Sequence, residues 1–473
     1  MLDQLREHLQ KTGLIPTGSR VLVGYSGGAD STCLLQLLHL LDVDIVAAHL
    51  HHSQRDEADA ELEACEAFAR SLGVEFISGK ADIPAMSADL RIGLEEAGRE
   101  ARYAFFERAA AHFSCSLIAT AHTRTDHVET ILHHLVRGTG MAGLSGIPER
   151  RGDIVRPLLA FEREETREYC RENGLWFHDD PSNEDLSFAR ARIRHRVLPE
   201  LRSINPGAVE AVARMAAIVS AEDRYLNGAA AAALETAEKP GNTELAFLTK
   251  DCEVQLDRRI VASLPEVLFR RAMRLAVEYL GGQLDSHQTQ SLVHGFSTTD
   301  KGSVTAIGGT VVIEWTDDRM TLREVKTPAP FRHSLELPGE VESEEMNWRL
   351  VAFEGTPSAR TLSRASLDAE LDSAAIQGNL YFRSVKASDE MQPLGFAHRR
   401  KLSDLLSEAR LSLSARGRLP LVCDLLGPLW APGVCLSERV KKVETTRRVT
   451  VLRFEPITSL PGHNVETHRI GRA

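Results

Sequence analysis

Ser26-Gly27-Gly28-Ala29-Asp30-Ser31 is the segment of this 473-residue chain best suited to holding an anion. Two adjacent glycines let backbone N–H groups turn toward a ligand with no side chain in the way. The start of the apolar helix that follows adds a favourable partial charge. Ser26 and Ser31 offer hydroxyls, and Asp30 could hold a magnesium ion against phosphates rather than touch them itself. A plain helix cap behind a glycine turn is the alternative, since Asp30 and Ser31 both cap well. The whole hexapeptide, set between a buried strand and an apolar helix, favours phosphate binding. It is neither the GxxxxGK[ST] loop, for no lysine follows, nor the GxGxxG loop of dinucleotide sites.

Other segments carry chemistry less specifically. His49-Leu50-His51-His52-Ser53-Gln54-Arg55 has three histidines but no HExxH and no carboxylate at ligand spacing. A polar, nucleotide-facing loop that includes His49 is therefore favoured over zinc. Glu95, Arg99 and Arg102 stand at helical spacing; taken alone they read as a solvated face with i,i+4 pairing. Asp126 and Glu129 share a face in the first turn of a helix whose core stripe is Val128, Ile131, Leu132 and Leu135. They either favour the helix dipole or, beside a phosphate loop, bind Mg²⁺ or a substrate ammonium. Arg190, Arg192, Arg194, Arg196 and Arg202 fall within thirteen residues. A second basic cluster holds Arg399, Arg400, Lys401, Arg410, Arg416 and Arg418, and Arg439, Lys441, Lys442, Arg447 and Arg448 follow. Each is either solvated surface or part of a face that tracks phosphates.

These segments need a frame. Val21–Tyr25, Ile45–Ala48, Val74–Ile77 and Ser116–Thr120 are short apolar runs suited to buried parallel strands. Helical stretches at Thr32–Leu41, Asp56–Leu72 and Leu94–His112 separate them. Such alternation predicts an α/β fold with a doubly wound parallel sheet and right-handed crossovers, whose ligands gather at the carboxyl ends of strands. Ser26–Ser31, His49–Arg55 and Ala121–Glu129 all sit at such ends. From about Pro206 to His294 alanine-rich helical patterns take over. Alternation around Lys301 to Val325, with Gly308-Gly309, predicts hairpins. Pro328 and Pro330 mark a boundary, and Asn379 to Phe454 reads as short strands with one or two helices.

Composition narrows the class. Hydrophobic residues make up 43% and charged residues 26%, as in ordinary globular proteins. Aromatic residues are only 5%, so nucleic-acid contact would rely on phosphates more than stacking. A net charge of -11 argues against indiscriminate nucleic-acid binding but allows a locally basic face. Seven scattered cysteines with no CxxC fit a reducing cytoplasm and give no support to a zinc ribbon or an iron–sulfur site. The first residues lack the pattern of a signal peptide, and no apolar run approaches a membrane span.

The loop at 26–31 resembles the SGGxDS loop of the PP-loop (N-type) ATP pyrophosphatases. With HLHHSQR at 49–55, GLEEAGREARY at 93–103, AHTRTDHVET at 121–130 and RGTGMAGLSG at 137–146, the chain is similar to the tRNA(Ile)-lysidine synthetases. DDPSNED at 179–185, RARIRHRVLP at 190–199 and the stretch from Arg383 to Val440 extend the likeness over nearly the whole length. It implies an adenine nucleotide alpha hydrolase-like catalytic domain over 1–200. A mainly helical tRNA-binding domain over 206–325, a C-terminal α+β tRNA-binding domain over 330–456 and a disordered tail over 457–473 would follow.

The implied reaction uses ATP and Mg²⁺. C2 of the wobble cytidine of a CAU-anticodon isoleucine tRNA is adenylated, and the ε-amine of free L-lysine displaces AMP. By motif position, the loop and His49 would hold ATP, Asp30 would organise Mg²⁺, and Arg102 would stabilise charge on the phosphate or activated base. His122, Asp126 and Glu129 would line the lysine or ATP side, while Arg190, Arg194, Arg399, Arg400 and Lys401 would meet tRNA. No membrane partner is expected; a homodimer is. Departures from the family pattern are Thr125 for an aspartate, His127 for a glutamine, Ala191 for an asparagine, Gly98 for an alanine and Ser388 for a glycine. Alternatives are a tRNA thiolase of the same superfamily, which would need paired cysteines or a cluster, and a non-catalytic nucleotide- or RNA-binding protein.

Overall fold

The computed structural model describes residues 1–51, 58–178, 186–239, 241–242, 244–326, 328–358 and 365–457, without the side chains of 58, 59 and 95. His52–Arg55, the 179–185 motif, the side chain of Glu95 and the tail from 458 lie outside the described residues.

The chain forms two units, Met1–Arg224 and Tyr225–Ala473. The first begins with α1 (Leu2–Thr12), β1 (Arg20–Gly24), α2 (Ala29–Leu40), β2 (Asp44–His51), α3 (Ala58–Ser71) and β3 (Glu75–Lys80). Then come α4 (Ile83–Leu90), α5 (Leu94–His112), β4 (Leu117–Ala119), α6 (Arg124–Arg137), α7 (Met141–Leu144), β5 (Arg150–Arg151) and β6 (Ile154–Val155). Next are α8 (Arg163–Glu172), α9 (Ala189–Arg192), a π-turn at Ile193–Val197, α10 (Leu198–Ile204) and α11 (Ala208–Ala237), whose residues from Tyr225 on belong to the second unit.

Side chains along β1 alternate between two apolar layers, and this alternation explains the sandwich of helices. Val21 and Val23 join Leu34, Leu35, Leu37 and Leu38 of α2 on one face. Leu22 joins Ala97, Ala101, Phe105 and Phe106 of α5 on the other. A strand covered on both faces is apolar throughout, as the sequence of β1 and β2 requires. The sheet order is β3-β2-β1-β4-β6-β5, parallel but for the edge strand β5. After β1 the chain moves outward through β2 and β3, then returns to the opposite side of β1 as β4. The crevice at the carboxyl ends of β1 and β4 is therefore a topological switch point.

The second unit contains β7 (Glu253–Asp257), α12 (Arg258–Ala262), α13 (Glu266–Tyr279), α14 (Ser286–Thr298), β8 (Gly302–Thr305), β9 (Val311–Trp315) and β10 (Arg319–Glu324). The helices pack on the antiparallel sheet β7-β10-β9-β8, with Val254, Leu256, Met273, Ile313 and Leu322 in the core. β7 interrupts the stretch read as helical. It is five residues long, and only Val254 and Leu256 mark its inward face.

Beyond it lie β11 (Arg332–Ser334), β12 (Gly339–Ser343), β13 (Trp348–Gly355), β14 (Asp368–Asp372), β15 (Tyr381–Arg383), β16 (Glu390–Met391) and β17 (Arg400–Lys401). Then α15 (Leu402–Glu408), α16 (Leu413–Arg418), β18 (Leu421–Asp424), β19 (Gly427–Ala431), β20 (Cys435–Leu436) and β21 (Val449–Pro456) complete the described chain. Two sheets, β11-β15-β18-β19-β20 and β12-β13-β21-β14, share a core built on Trp348, Phe382, Trp430 and Phe454. Among the described residues no helix is long and apolar enough to cross a membrane.

Candidate active site

The glycine loop leaves β1 and enters α2 with its own polar groups tied inward. Gly27 has φ +79°, where a side chain is strained, and an added Cβ would fall 2.8 Å from Cys65 Sγ. Gly28 is different: at φ -74° and ψ 160° it is extended, and an added Cβ would meet nothing nearer than Ser26 Oγ at 3.6 Å. Ser31 Oγ donates to Gly28 O (2.9 Å), accepts from Ser26 N (3.2 Å) and lies 3.1 Å from Ser26 Oγ. Among the described residues no side chain caps α2. Its first-turn N–H groups, which have no intrahelical partner, are left for a ligand, and the helix dipole makes that ligand an anion.

A strap lies against this loop from α8 onward. His178 N donates to Gly27 O (2.8 Å), His178 Nε2 pairs with Glu61 Oε1 of α3 (3.0 Å), and the Trp176 ring comes within 3.4 Å of where a Gly27 Cβ would stand.

Asp30, in the first turn of α2, faces Asp126 at the start of α6 across one arginine. Arg163 Nη2 reaches Asp126 Oδ1 at 3.0 Å and Asp30 Oδ2 at 3.4 Å. The Thr166 hydroxyl donates to Asp30 Oδ1. Asp30 is only 19% exposed, and burial pushes its carboxyl up to about 6 against the pull of Arg163. Asp126 goes the other way. Burial opposes its ionisation, but Arg163, His122 and the Thr123 N–H and hydroxyl, which donate to Oδ2 at 2.9 and 2.7 Å, hold it below the usual carboxylate range. Asp126 is also the reciprocal partner in a capping box with Thr123, so the dipole reading and the site reading both describe it.

Glu129 is 3% exposed and bound bidentately by Arg194, Nε to Oε1 at 2.6 Å and Nη2 to Oε2 at 2.7 Å. Burial raises its pKa, and Arg194 resists that rise. Arg194 belongs to the π-turn, a distortion often found where function demands it. It turns inward onto α6, and its Nη2 also comes within 3.6 Å of Asp126. His122 Nδ1 lies 3.0 Å from Thr120 Oγ1; burial drives its pKa down to about 4, helped by Arg156, Arg102 and Arg99. The imidazole is neutral at physiological pH.

Other site residues fall nearby or elsewhere. His49 is buried with Nδ1 3.0 Å from Tyr25 O, which ties β2 to the strand end beneath the loop. Arg102 is exposed on α5, close enough to influence His122, and takes part in no ion pair among the described residues. Arg190 is exposed on α9. In the second unit, Arg399 and Lys401 are exposed, whereas Arg400 is paired with Glu408 at 3.0 Å through Nη1. Arg439 is bidentate on the fully buried Asp424 (2.6 and 2.8 Å), and Arg383 is bidentate on Asp389. Those two arginines build the fold.

Asp30, Asp126, Glu129 and His122 thus lie together at the switch point. Arg163 and Thr166 join them without having been singled out. The stretch Phe161–Glu165 reads as an ordinary charged helix start, and only the fold brings it to Asp30. Among the described residues no three His, Cys, Asp or Glu side chains form a metal cage. Mg²⁺ held by one or two carboxylates and phosphate oxygens needs none. Asp30 beside an uncapped helix start, with Arg163 Nε buried and unpartnered among the described residues, fits a metal–polyphosphate ligand.

A parallel sheet whose first strand leads through SGGADS into an uncapped helix, with carboxylates at the switch point, defines a PP-loop ATP pyrophosphatase domain. A family model described as "PP-loop domain" matches residues 1–201, and one described as "TilS substrate C-terminal domain" matches residues 379–452. The tRNA(Ile)-lysidine synthase of Dehalococcoides mccartyi is 30% identical over 96% of this chain and 99% of its own length. That of Geobacter sulfurreducens is also 30% identical, over 96% and 97%. The chain belongs to the tRNA(Ile)-lysidine synthase family. A solved TilS C-terminal domain covers 28% of this chain and 100% of its own, at 22% identity and TM-score 0.26. The U34-tRNA thiolase of Methanococcus maripaludis covers 46% of this chain and 78% of its own, at 16% identity and TM-score 0.40. At those scores the structural likenesses carry no weight.

Proposed function

We propose that the chain adenylates C2 of the wobble cytidine in a CAU-anticodon isoleucine tRNA and then joins lysine to it. The C2 carbonyl oxygen attacks the α-phosphorus of ATP, and the bond to the β-phosphate breaks to release pyrophosphate. The ε-amine of lysine then attacks C2, AMP leaves with the oxygen, and the amine sheds its proton. Adenylation turns a poor leaving oxygen into a good one. The observation that carries this reading is the uncapped start of α2 behind Gly27-Gly28 with Asp30 beside it. Preorganised N–H donors of this kind favour charge as it develops on a departing diphosphate.

In this reading Ser26–Ser31 hold the pyrophosphate. Asp30 holds Mg²⁺, which supplies charge neutralisation at the phosphates. Arg102, exposed near His122 and in no ion pair among the described residues, meets the phosphate or the activated base. His122 is neutral and can accept a proton or a hydrogen bond from the incoming amine. Asp126 faces the lysine side. Glu129, saturated by Arg194, acts by fixing that arginine. Arg190, Arg399 and Lys401 are suited to tRNA phosphates. Free lysine as the amine donor, a cytoplasmic setting and a homodimer complete the reading; seven free thiols support the setting.

Incubation with radiolabelled lysine, ATP and total tRNA tests it. Label is expected in acid-precipitable RNA, confined to tRNA with a CAU anticodon. Its absence from RNA with a folded protein contradicts the lysine-ligase reading.

A further inference from the structure

Each carboxylate of the Asp30–Asp126 pair spends one oxygen on its own neighbourhood. Asp30 Oδ1 accepts from the Thr166 hydroxyl, and Asp126 Oδ2 accepts from the Thr123 N–H and hydroxyl. The two remaining oxygens, Asp30 Oδ2 and Asp126 Oδ1, converge on a single atom, Arg163 Nη2, at 3.4 and 3.0 Å. Convergence of two carboxylate oxygens on one point is what a divalent cation also requires. The start of α8 is anchored beside the pair: the Arg163 backbone N–H donates to Thr125 Oγ1 at 3.2 Å, and the Arg163 side chain is 20% exposed. Its Nε is buried and has no hydrogen-bond partner among the described residues. A buried charged donor left unmade is costly, so a polar ligand is expected to satisfy it.

We infer that Arg163 is a positioning residue that fills the cation position between Asp30 and Asp126 before the metal arrives. It then yields the longer contact, to Asp30, to the entering metal while its unpaired Nε–H meets a phosphate oxygen. Without such a surrogate, these two partly buried carboxylates, with the 3.6 Å contact from Arg194 left to Asp126, would repel and one would protonate or turn away. With it, the pair is preset for a metal–polyphosphate complex. This inference rests on the proposed metal role of Asp30.

Thermal unfolding of the full-length chain without nucleotide, in EDTA and in millimolar Mg²⁺, tests it. The wild type is expected to melt at the same temperature in both. Arg163→Gln should melt on the order of 5–10 °C lower in EDTA, as removal of the shared partner from two largely buried ion pairs implies. It should regain at least half of that loss in Mg²⁺, because the ion takes the vacated position. Adding Asp30→Asn should abolish the regain. Arg163→Lys keeps a cation and should fall between the two in EDTA while still gaining from Mg²⁺; if Arg163→Gln does not fold, this variant decides. Equal Mg²⁺ gains in wild type and variant, or no gain in either variant, overturn the inference. Neither result touches the labelled-lysine assay, so the two readings fail separately.

Discussion

Gly27 and Gly28 are adjacent and chemically identical, yet they have different duties. Gly27 needs its freedom for the fold: φ is positive, and Cys65 stands where a Cβ would go. Gly28 has ordinary φ and room for a methyl group, so what it keeps clear is the approach to the helix start. Gly27→Ala is therefore expected to cost about 1–3 kcal/mol of stability. Gly28→Ala should melt like the wild type yet bind ATP at least about tenfold more weakly, equivalent to ~1.4 kcal/mol. Calorimetric melting and ATP titration of both variants check this; unchanged ATP affinity in Gly28→Ala would contradict the anion role of the loop. At this scale the sequence was readable where a motif is local. Ser26–Ser31, Asp126 and Glu129 announce themselves through neighbours in the chain. Arg163 and Thr166 lie some 135 residues from Asp30, and no local pattern marks a partner that only packing supplies.

At the scale of elements, Arg194 of the π-turn holds α6 through its bidentate pair with buried Glu129 and a longer 3.6 Å contact to Asp126. Such pairs are weak evidence for net stability, but breaking one strands a charge. Glu129→Ala is expected to lower stability by about 3–5 kcal/mol, because Arg194 loses its bidentate partner. Glu129→Met with Arg194→Leu should recover most of that loss while leaving lysine transfer to tRNA impaired. Urea unfolding of the two variants, beside the labelled-lysine assay, checks this; full activity in the double variant would show that the pair serves the fold alone. The major strands were legible because both their faces are apolar. Leu94–His112 was legible as a helix to its ends. β7 was not, since a five-residue strand with two inward side chains leaves too little period to see among helices. The arginine clusters were legible as charge but not as roles. Arg194 and Arg439 spend their charge inside the protein, on Glu129 and Asp424, and burial of those carboxylates has no signature in a charge count.

For the whole molecule, a net charge of -11 must be reconciled with an anionic substrate. Internal pairing resolves part of it. With Arg383 and Arg439 committed to buried carboxylates, the exposed cations Arg399, Lys401, Arg410, Arg447 and Arg448 make no ion pair among the described residues. Affinity for tRNA should accordingly fall steeply with salt. Arg399→Glu with Lys401→Glu should flatten the slope of log affinity against log salt by about 2 and weaken binding to every tRNA alike. ATP binding should be untouched. Filter binding across a salt series checks this; an unchanged slope would remove these residues from the phosphate-contacting surface.

The central claim is that a diphosphate leaves from the start of α2 in a reaction completed by lysine. Full-length protein incubated with ATP labelled at the α-phosphate, lysine and CAU-anticodon isoleucine tRNA tests it most directly. The predicted result is AMP and pyrophosphate formed in equal amounts with lysine fixed in the RNA, and neither product accumulating without tRNA. ADP and inorganic phosphate as products, with the same lysine and tRNA present, would contradict it.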